Sequence, residues 1–157
     1  MIPATTMQLT IYVLQTLGEV HIYMAELHRE ESIYNEQLNE LYSRIRVTDY
    51  ESARIQSNGR PDEKNISMMI QADRLKKKFE EKIEPLKKEI VRSSLVTAYI
   101  KSMGDNSGKA LQMYYAQHKK KSEIGEILEI TREEVNDSLA KGEERVADFL
   151  TKKNLLY

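Results

Sequence analysis

Apolar side chains recur along the first third of the chain in steps of three and four. Val13, Leu17, Val20, Met24, Leu27, Tyr34, Leu38, Leu41 and Ile45 fall on one line, and Glu31 is the one polar residue at a seam position, inside the seven-residue step from Leu27 to Tyr34. Such spacing returns each side chain to the same face of a helix with 3.6 residues per turn, the pattern of a coiled-coil seam. Only Gly18 interrupts the run, so the pattern predicts one helix from about Thr6 to Arg46. Its first turns are apolar on more than one face (Ile11, Tyr12, Val13, Leu14), which predicts burial against something broader than a single partner helix.

The period is lost from Val47 to Pro61, where Ser57-Asn58-Gly59-Arg60-Pro61 concentrates turn residues and predicts an exposed loop at about 47–61. A second helix follows, with Pro61, Asp62 and Glu63 near its start, where a missing N–H and negative charge are both tolerated. Its stripe is Met68, Ala72, Leu75, Phe79, Ile83, Leu86 and Ile90. Pro85 lacks a donor and crowds the preceding turn, which predicts a kink or break there. Helix resumes through Leu95, Val96, Tyr99 and Ile100 until Gly104-Asp105-Asn106-Ser107-Gly108 ends it.

The rhythm then shortens. Lys109 to Gln117 reads as a short helix with Leu111, Met113, Tyr114 and Tyr115 as its apolar contacts. Lys119-Lys120-Lys121 leads to Ser122, an expected N-cap for a helix over Glu123 to Glu129. Thr131-Arg132-Glu133-Glu134 has the form of a capping box and opens a last helix from Arg132 to about Leu150. Two helices joined by so short a turn, with Ile124, Leu128, Ile130, Val135, Leu139 and Val146 inside, make a helix-turn-helix. The fold class is therefore all-α: a long antiparallel, coiled-coil-like helical hairpin over 1–103, then a helix-turn-helix head over 104–157.

Composition agrees with this. The 157 residues are 40% hydrophobic and 31% charged, with only 6 Gly and 3 Pro, the balance of a helical protein with a solvated surface. Cysteine is absent, which removes disulfides, thiol nucleophiles and cysteine metal sites and fits a reducing compartment. No basic leader precedes an apolar stretch and no apolar run is long enough for a bilayer, so the expectation is a cytoplasmic protein without a membrane partner. The net charge of −1 hides a gradient: residues 1–59 carry 4 Lys/Arg against 8 Asp/Glu, 60–103 carry 11 against 7, and 104–157 carry 9 against 10. An acidic first helix and a basic second one attract when paired antiparallel.

The segment Ile124-Gly125-Glu126-Ile127-Leu128-Glu129-Ile130-Thr131-Arg132-Glu133-Glu134-Val135 resembles region 4 of bacterial sigma factors, and Leu111-Gln112-Met113-Tyr114-Tyr115 resembles the aromatic helix before that motif. With the amphipathic helix, Gly-containing loop and charged second helix, the layout over roughly Leu27 to Leu150 is similar to phage late transcription regulators of the RinA and ArpU type. The resemblance implies regulation of phage late genes in a bacterial host cell, by binding double-stranded promoter or operator DNA while touching RNA polymerase. It places Thr131, Arg132, Glu133, Asn136, Asp137 and Lys141 towards the major groove, and Lys119, Lys120, Lys121 and Ser122 near phosphates. The sequence departs from this pattern in charge: from Thr131 to Leu150 there are 3 Lys/Arg against 6 Asp/Glu. Carboxylates repel phosphates, which leaves open a second reading, a head that binds RNA polymerase or a host regulator.

Other groups have plainer readings. Lys119–Lys121 suits a phosphate anchor or a solvated turn, and Lys76–Lys78 with Lys87-Lys88 suits an exposed helix face. His21 and His28 lie two helical turns apart, too far for one ion, and read as surface histidines. No nucleophile-base pair, phosphate loop or paired carboxylates stand out, so no catalytic residue, metal, cofactor or small-molecule substrate is expected. The seam Leu17, Val20, Met24, Leu27, Tyr34, Leu38, Leu41 and Ile45 serves a hairpin core or a dimer interface. A hairpin and small head leave Ile11, Tyr12, Leu14 and Ile22 without cover, which predicts a homodimer.

Overall fold

The computed structural model describes residues 2–55 and 63–157, with side chains over 2–44 and 65–157. No strand occurs among these residues, and the fold is all-α. The helices are α1 (Ala4–Gln15), α2 (Val20–Ile55), α3 (Glu63–Ser102), α4 (Asn106–Leu111), α5 (Lys121–Leu128) and α6 (Arg132–Lys152). A 3₁₀ turn, Thr16–Glu19, joins α1 to α2, and a π-helical turn, Gln112–Ala116, follows α4. No helix among the described residues is long and apolar enough to cross a membrane.

Several boundaries differ from the sequence pattern. The expected single helix from Thr6 to Arg46 is interrupted by the 3₁₀ turn. The buried Thr16 hydroxyl donates to the Val13 carbonyl at 2.7 Å, and Gly18 lies against His118, whose Nε2 would be 2.7 Å from a Cβ added there. A side chain at position 18 would displace the His118 imidazole and press on the Ala116 carbonyl, 3.3 Å from the added carbon. Beyond the turn, α2 runs on to Ile55, so Val47–Ile55 is helix rather than loop, while residues 56–62 of the expected loop and helix start lie outside the described residues. Helix α3 continues through Pro85 without a break, and α4 restarts at Asn106, enclosing Ser107 and Gly108.

The chain divides into two compact units, Met1–Tyr23 with Lys88–Tyr157 and Met24–Lys87, rather than at residue 103. In the second unit α2 and α3 pair antiparallel. Lys82 lies 3.8 Å from Glu30, the Tyr34 and Phe79 rings stack at 4.3 Å, and Leu41 shares a groove with Gln71 and Leu75. As numbers rise along α2, those of its neighbours on α3 fall. Leu41 and Ile83 are buried in this seam, and Leu27, Tyr34, Leu38, Met68, Ala72, Leu75, Phe79 and Leu86 are half-buried.

The seam differs from its expected course at one end. Met24 is 46% exposed, Val20 belongs to the other unit, and Leu17 lies in the 3₁₀ turn, whose 3.0 residues per turn break the step from Leu17 into α2. The Ile45 side chain lies outside the described residues.

The first unit holds the main core: Val13, Leu14, Leu17, Val96, Ile100, Ala110, Leu111, Tyr115, Ile124, Val135, Leu139, Val146, Leu150 and Leu155. Helix α1 packs along α6 and the π-helical turn, so Val13 and Leu14 are covered within one chain and Ile11 is half-buried. Tyr12 and Ile22 remain 52% exposed. The Tyr99 and Phe149 rings stack at 4.3 Å and tie α3 to α6.

Helices α4 and α6 approach closely at Gly142, where an added Cβ would lie 2.5 Å from Leu111 Cδ1 and 2.8 Å from its Cγ. Leu111 is fully buried and has no room to retreat. Gly142→Ala therefore destabilises by about 1–2 kcal/mol despite a helix-propensity gain of about 1 kcal/mol. Gly104→Ala, with nothing within 4 Å of the added carbon, leaves stability near that of the parent. Urea unfolding of the two variants separates these outcomes.

Candidate nucleic-acid interface

Helix α5 begins one residue before the expected Ser122 cap. Its N-cap is Lys120, in extended conformation, with no side-chain cap bond, and the Ile124 N–H donates to the Lys120 carbonyl at 3.0 Å. Ser122 lies inside the first turn and is exposed. At the other end Glu129 adopts the left-handed region at φ 57°, and the Ile130 N–H donates to the Gly125 carbonyl at 3.0 Å. This reverses the chain within three residues, Glu129 to Thr131.

The capping box then starts α6. The Glu134 N–H donates to Thr131 Oγ1 at 3.2 Å, and the Thr131 N–H donates to a Glu134 carboxylate oxygen at 3.4 Å. Beneath the turn Ile124 and Val135 are fully buried, and Leu128 and Ile130 pack half-buried against the same core. The helix-turn-helix is thus set by its own caps and by four apolar side chains beneath them.

Thr131, Arg132, Glu133, Asn136, Asp137 and Lys141 are all exposed, but they do not form one surface. Arg132, Asn136 and Ala140 follow at steps of four and make an exposed row without a carboxylate. Glu133, Asp137, Lys141, Glu144 and Asp148 make a second exposed row, with four carboxylates and one ammonium. Asp137 and Lys141 also line a groove of about 390 Å³ with Asp105, Ile130, Glu134 and Arg145. Across it the Arg145 guanidinium donates to Asp105 at 2.7 Å and holds that carboxyl below the usual carboxylate range. One of the four cations of α6 (Arg132, Lys141, Arg145 and Lys152) is therefore engaged within the fold.

The lysine run is similarly divided. Lys120 is exposed and Lys119 half-buried, while the Lys121 ammonium sits 5.8 Å from the centre of the Tyr114 ring. His118, at φ 54°, turns the chain from the π-helical turn towards these lysines. His21 and His28 are exposed, with His28 Nδ1 3.5 Å from Glu31.

Contacts that linear pattern reading misses hold the site in place. Tyr115 donates to Glu143 at 2.6 Å and joins the π-helical turn to the middle of α6. Arg92, 1% exposed, anchors Leu155–Tyr157. The one linear signal for Arg92 is its place four residues before the fully buried Val96, on the covered face of α3.

No family model matches the chain, and no characterised protein or solved structure does either.

Two predictions follow from the geometry. Thr131→Ala removes the cap acceptor and lowers stability by about 1 kcal/mol in chemical denaturation. Burial, reinforced by the bond to Glu143, raises Tyr115 above its ordinary pKa of 10.0. A raised folded-state value means a contribution fully present below the unfolded value near 10 and lost as pH rises through the folded one. Denaturation midpoints followed into alkali therefore fall less steeply for Tyr115→Phe than for the parent.

Proposed function

We propose that the chain is a DNA-binding transcriptional regulator of the phage late-gene type, acting through the α5–α6 helix-turn-helix. The carrying observation is the exposed row Arg132, Asn136 and Ala140 at the start of α6. The first turns of a recognition helix are the part that meets base edges, and these three side-chain types have partners there: guanine O6 and N7 for Arg, adenine N6 and N7 for Asn, and the thymine methyl for Ala. Glu144 and Asp148 lie roughly 18 Å or more along the helix from Arg132 at 1.5 Å per residue, away from those turns. Lys119, Lys120 and the first N–H groups of α5 hold phosphates, and Glu133 accepts from a cytosine amino group. Two copies acting together present two reading heads to a pseudo-palindromic site, and the exposed Tyr12 and Ile22 offer apolar surface for pairing. The setting is the cytoplasm of a bacterial host, with RNA polymerase as a further contact and no catalysis.

A second reading has its own support. The row Glu133, Asp137, Glu144 and Asp148 repels a phosphate backbone and suits a basic protein surface, such as one on RNA polymerase or a host regulator.

Footprinting at low salt on the DNA flanking the protein's own gene tests the first reading, because electrostatic binding is strongest there. The expected result is a protected site. Arg132→Ala weakens binding to that site by about 1–3 kcal/mol and flattens base preference, whereas Lys120→Ala weakens all sequences alike and lowers the salt slope by about one. Absence of protection at low salt, with recovery of RNA polymerase in a DNA-free pull-down, replaces the first reading with the second.

A further inference from the structure

Beyond the helix-turn-helix, the end of α6 is fastened to α3 by a contact of unusual composition. Asn154, at φ 54°, reverses the chain after α6, with the Lys153 N–H donating to the Phe149 carbonyl and the Leu155 N–H to the Leu150 carbonyl. Leu155 is buried, and Leu155–Tyr157 then lies over Arg92. Arg92 donates from Nη1 to the Tyr157 carbonyl at 2.9 Å and, at 3.5 Å, to that of Leu155, and from Nη2 to Glu89. The Tyr157 ring sits 5.0 Å from the guanidinium carbon and 5.6 Å from the Lys88 ammonium, and its hydroxyl donates to the Lys88 carbonyl at 3.0 Å.

We propose that Leu155–Tyr157 is a releasable strap, and that Arg92 is the positioning residue through which it fastens the end of α6 to α3. The closed state leaves Arg92 1% exposed, with Glu89 as its bonded carboxylate and with Nε lacking any partner. Burying a guanidinium costs desolvation that Glu89, the two main-chain oxygens and the Tyr157 ring offset, with Nε left without a partner, and lifting the strap returns these groups to water. Against this, closure gains the burial of Leu155 and contacts of a Tyr157 ring that is still 53% exposed. The segment is three residues long and holds one buried side chain, Leu155, so it opens as a local unit ahead of the rest of α6. The start of α6 does not depend on the strap, because its capping box and Val135 belong to the turn with α5. Opening uncovers Arg92 beside the already exposed Lys88, so the strap controls access to the guanidinium.

Native-state hydrogen exchange on the intact free protein tests this, and it does so whether or not the head binds DNA. In Tyr157→Ala the amides of Lys153 and Leu155 exchange at least tenfold faster than in the parent, while those of Val135 and Leu139 keep their rates. Arg92→Met reproduces the pattern, and Arg92→Lys, which retains the charge but not the fork of donors, restores part of the protection. Equal acceleration of all four amides assigns Arg92 a general structural role and overturns the strap, as does unchanged exchange at Lys153 and Leu155 in Tyr157→Ala.

Discussion

The close approach of α4 to α6 organises the first unit. Leu111 rests against the bare backbone at Gly142, and this sets the spacing at which Val135, Leu139, Val146 and Leu150 of α6 can meet the remaining core residues. Helices α1, α4 and α5 all pack on α6, so its position is fixed from several sides before any ligand is considered. Interiors packed to crystal-like density transmit such a constraint because they leave no room for compensating shifts. The exposed rows of α6 are consequently held at definite orientations rather than chosen on binding.

Charge on those rows separates shape from affinity. The backbone forms a helix-turn-helix, but four of the five titratable side chains along one exposed row of α6 are acidic. Desolvated like charges across an interface cost several kcal/mol, so such a row acts as a filter on which surfaces can approach. The adjoining Arg132–Asn136 row carries no such penalty. The two neighbouring faces, about 100° apart, thus differ in charge along one helix.

Much of this fold was legible in the sequence, because its signals are local and periodic. The stripes on α2 and α3, the capping box at Thr131 and the helix-turn-helix interior all depend on side chains a few residues apart. Failures arose where distant segments decide. The 3₁₀ turn at Thr16–Glu19 meets His118 and Ala116, a hundred residues away, and no nearby residue signals that encounter. The Asp105–Arg145, Tyr115–Glu143 and Arg92–Tyr157 contacts are likewise long-range pairings between ordinary surface-type residues. The candidate residues were legible as an exposed set, but their division into an acidic row and a carboxylate-free row required the course of α6 to be known.

The first unit is assembled from two stretches of chain separated by the 64 residues from Met24 to Lys87. Val13, Leu14 and Leu17 are synthesised more than a hundred residues before the helix they cover, α6. Closing a loop of that length costs roughly 4 kcal/mol of chain entropy by the logarithmic scaling, before native contacts compensate. An early α2–α3 hairpin shortens the effective distance by bringing the two flanks of the loop together. The antiparallel pairing of α2 with α3 thus lowers the entropic cost of building one core from two distant stretches of chain.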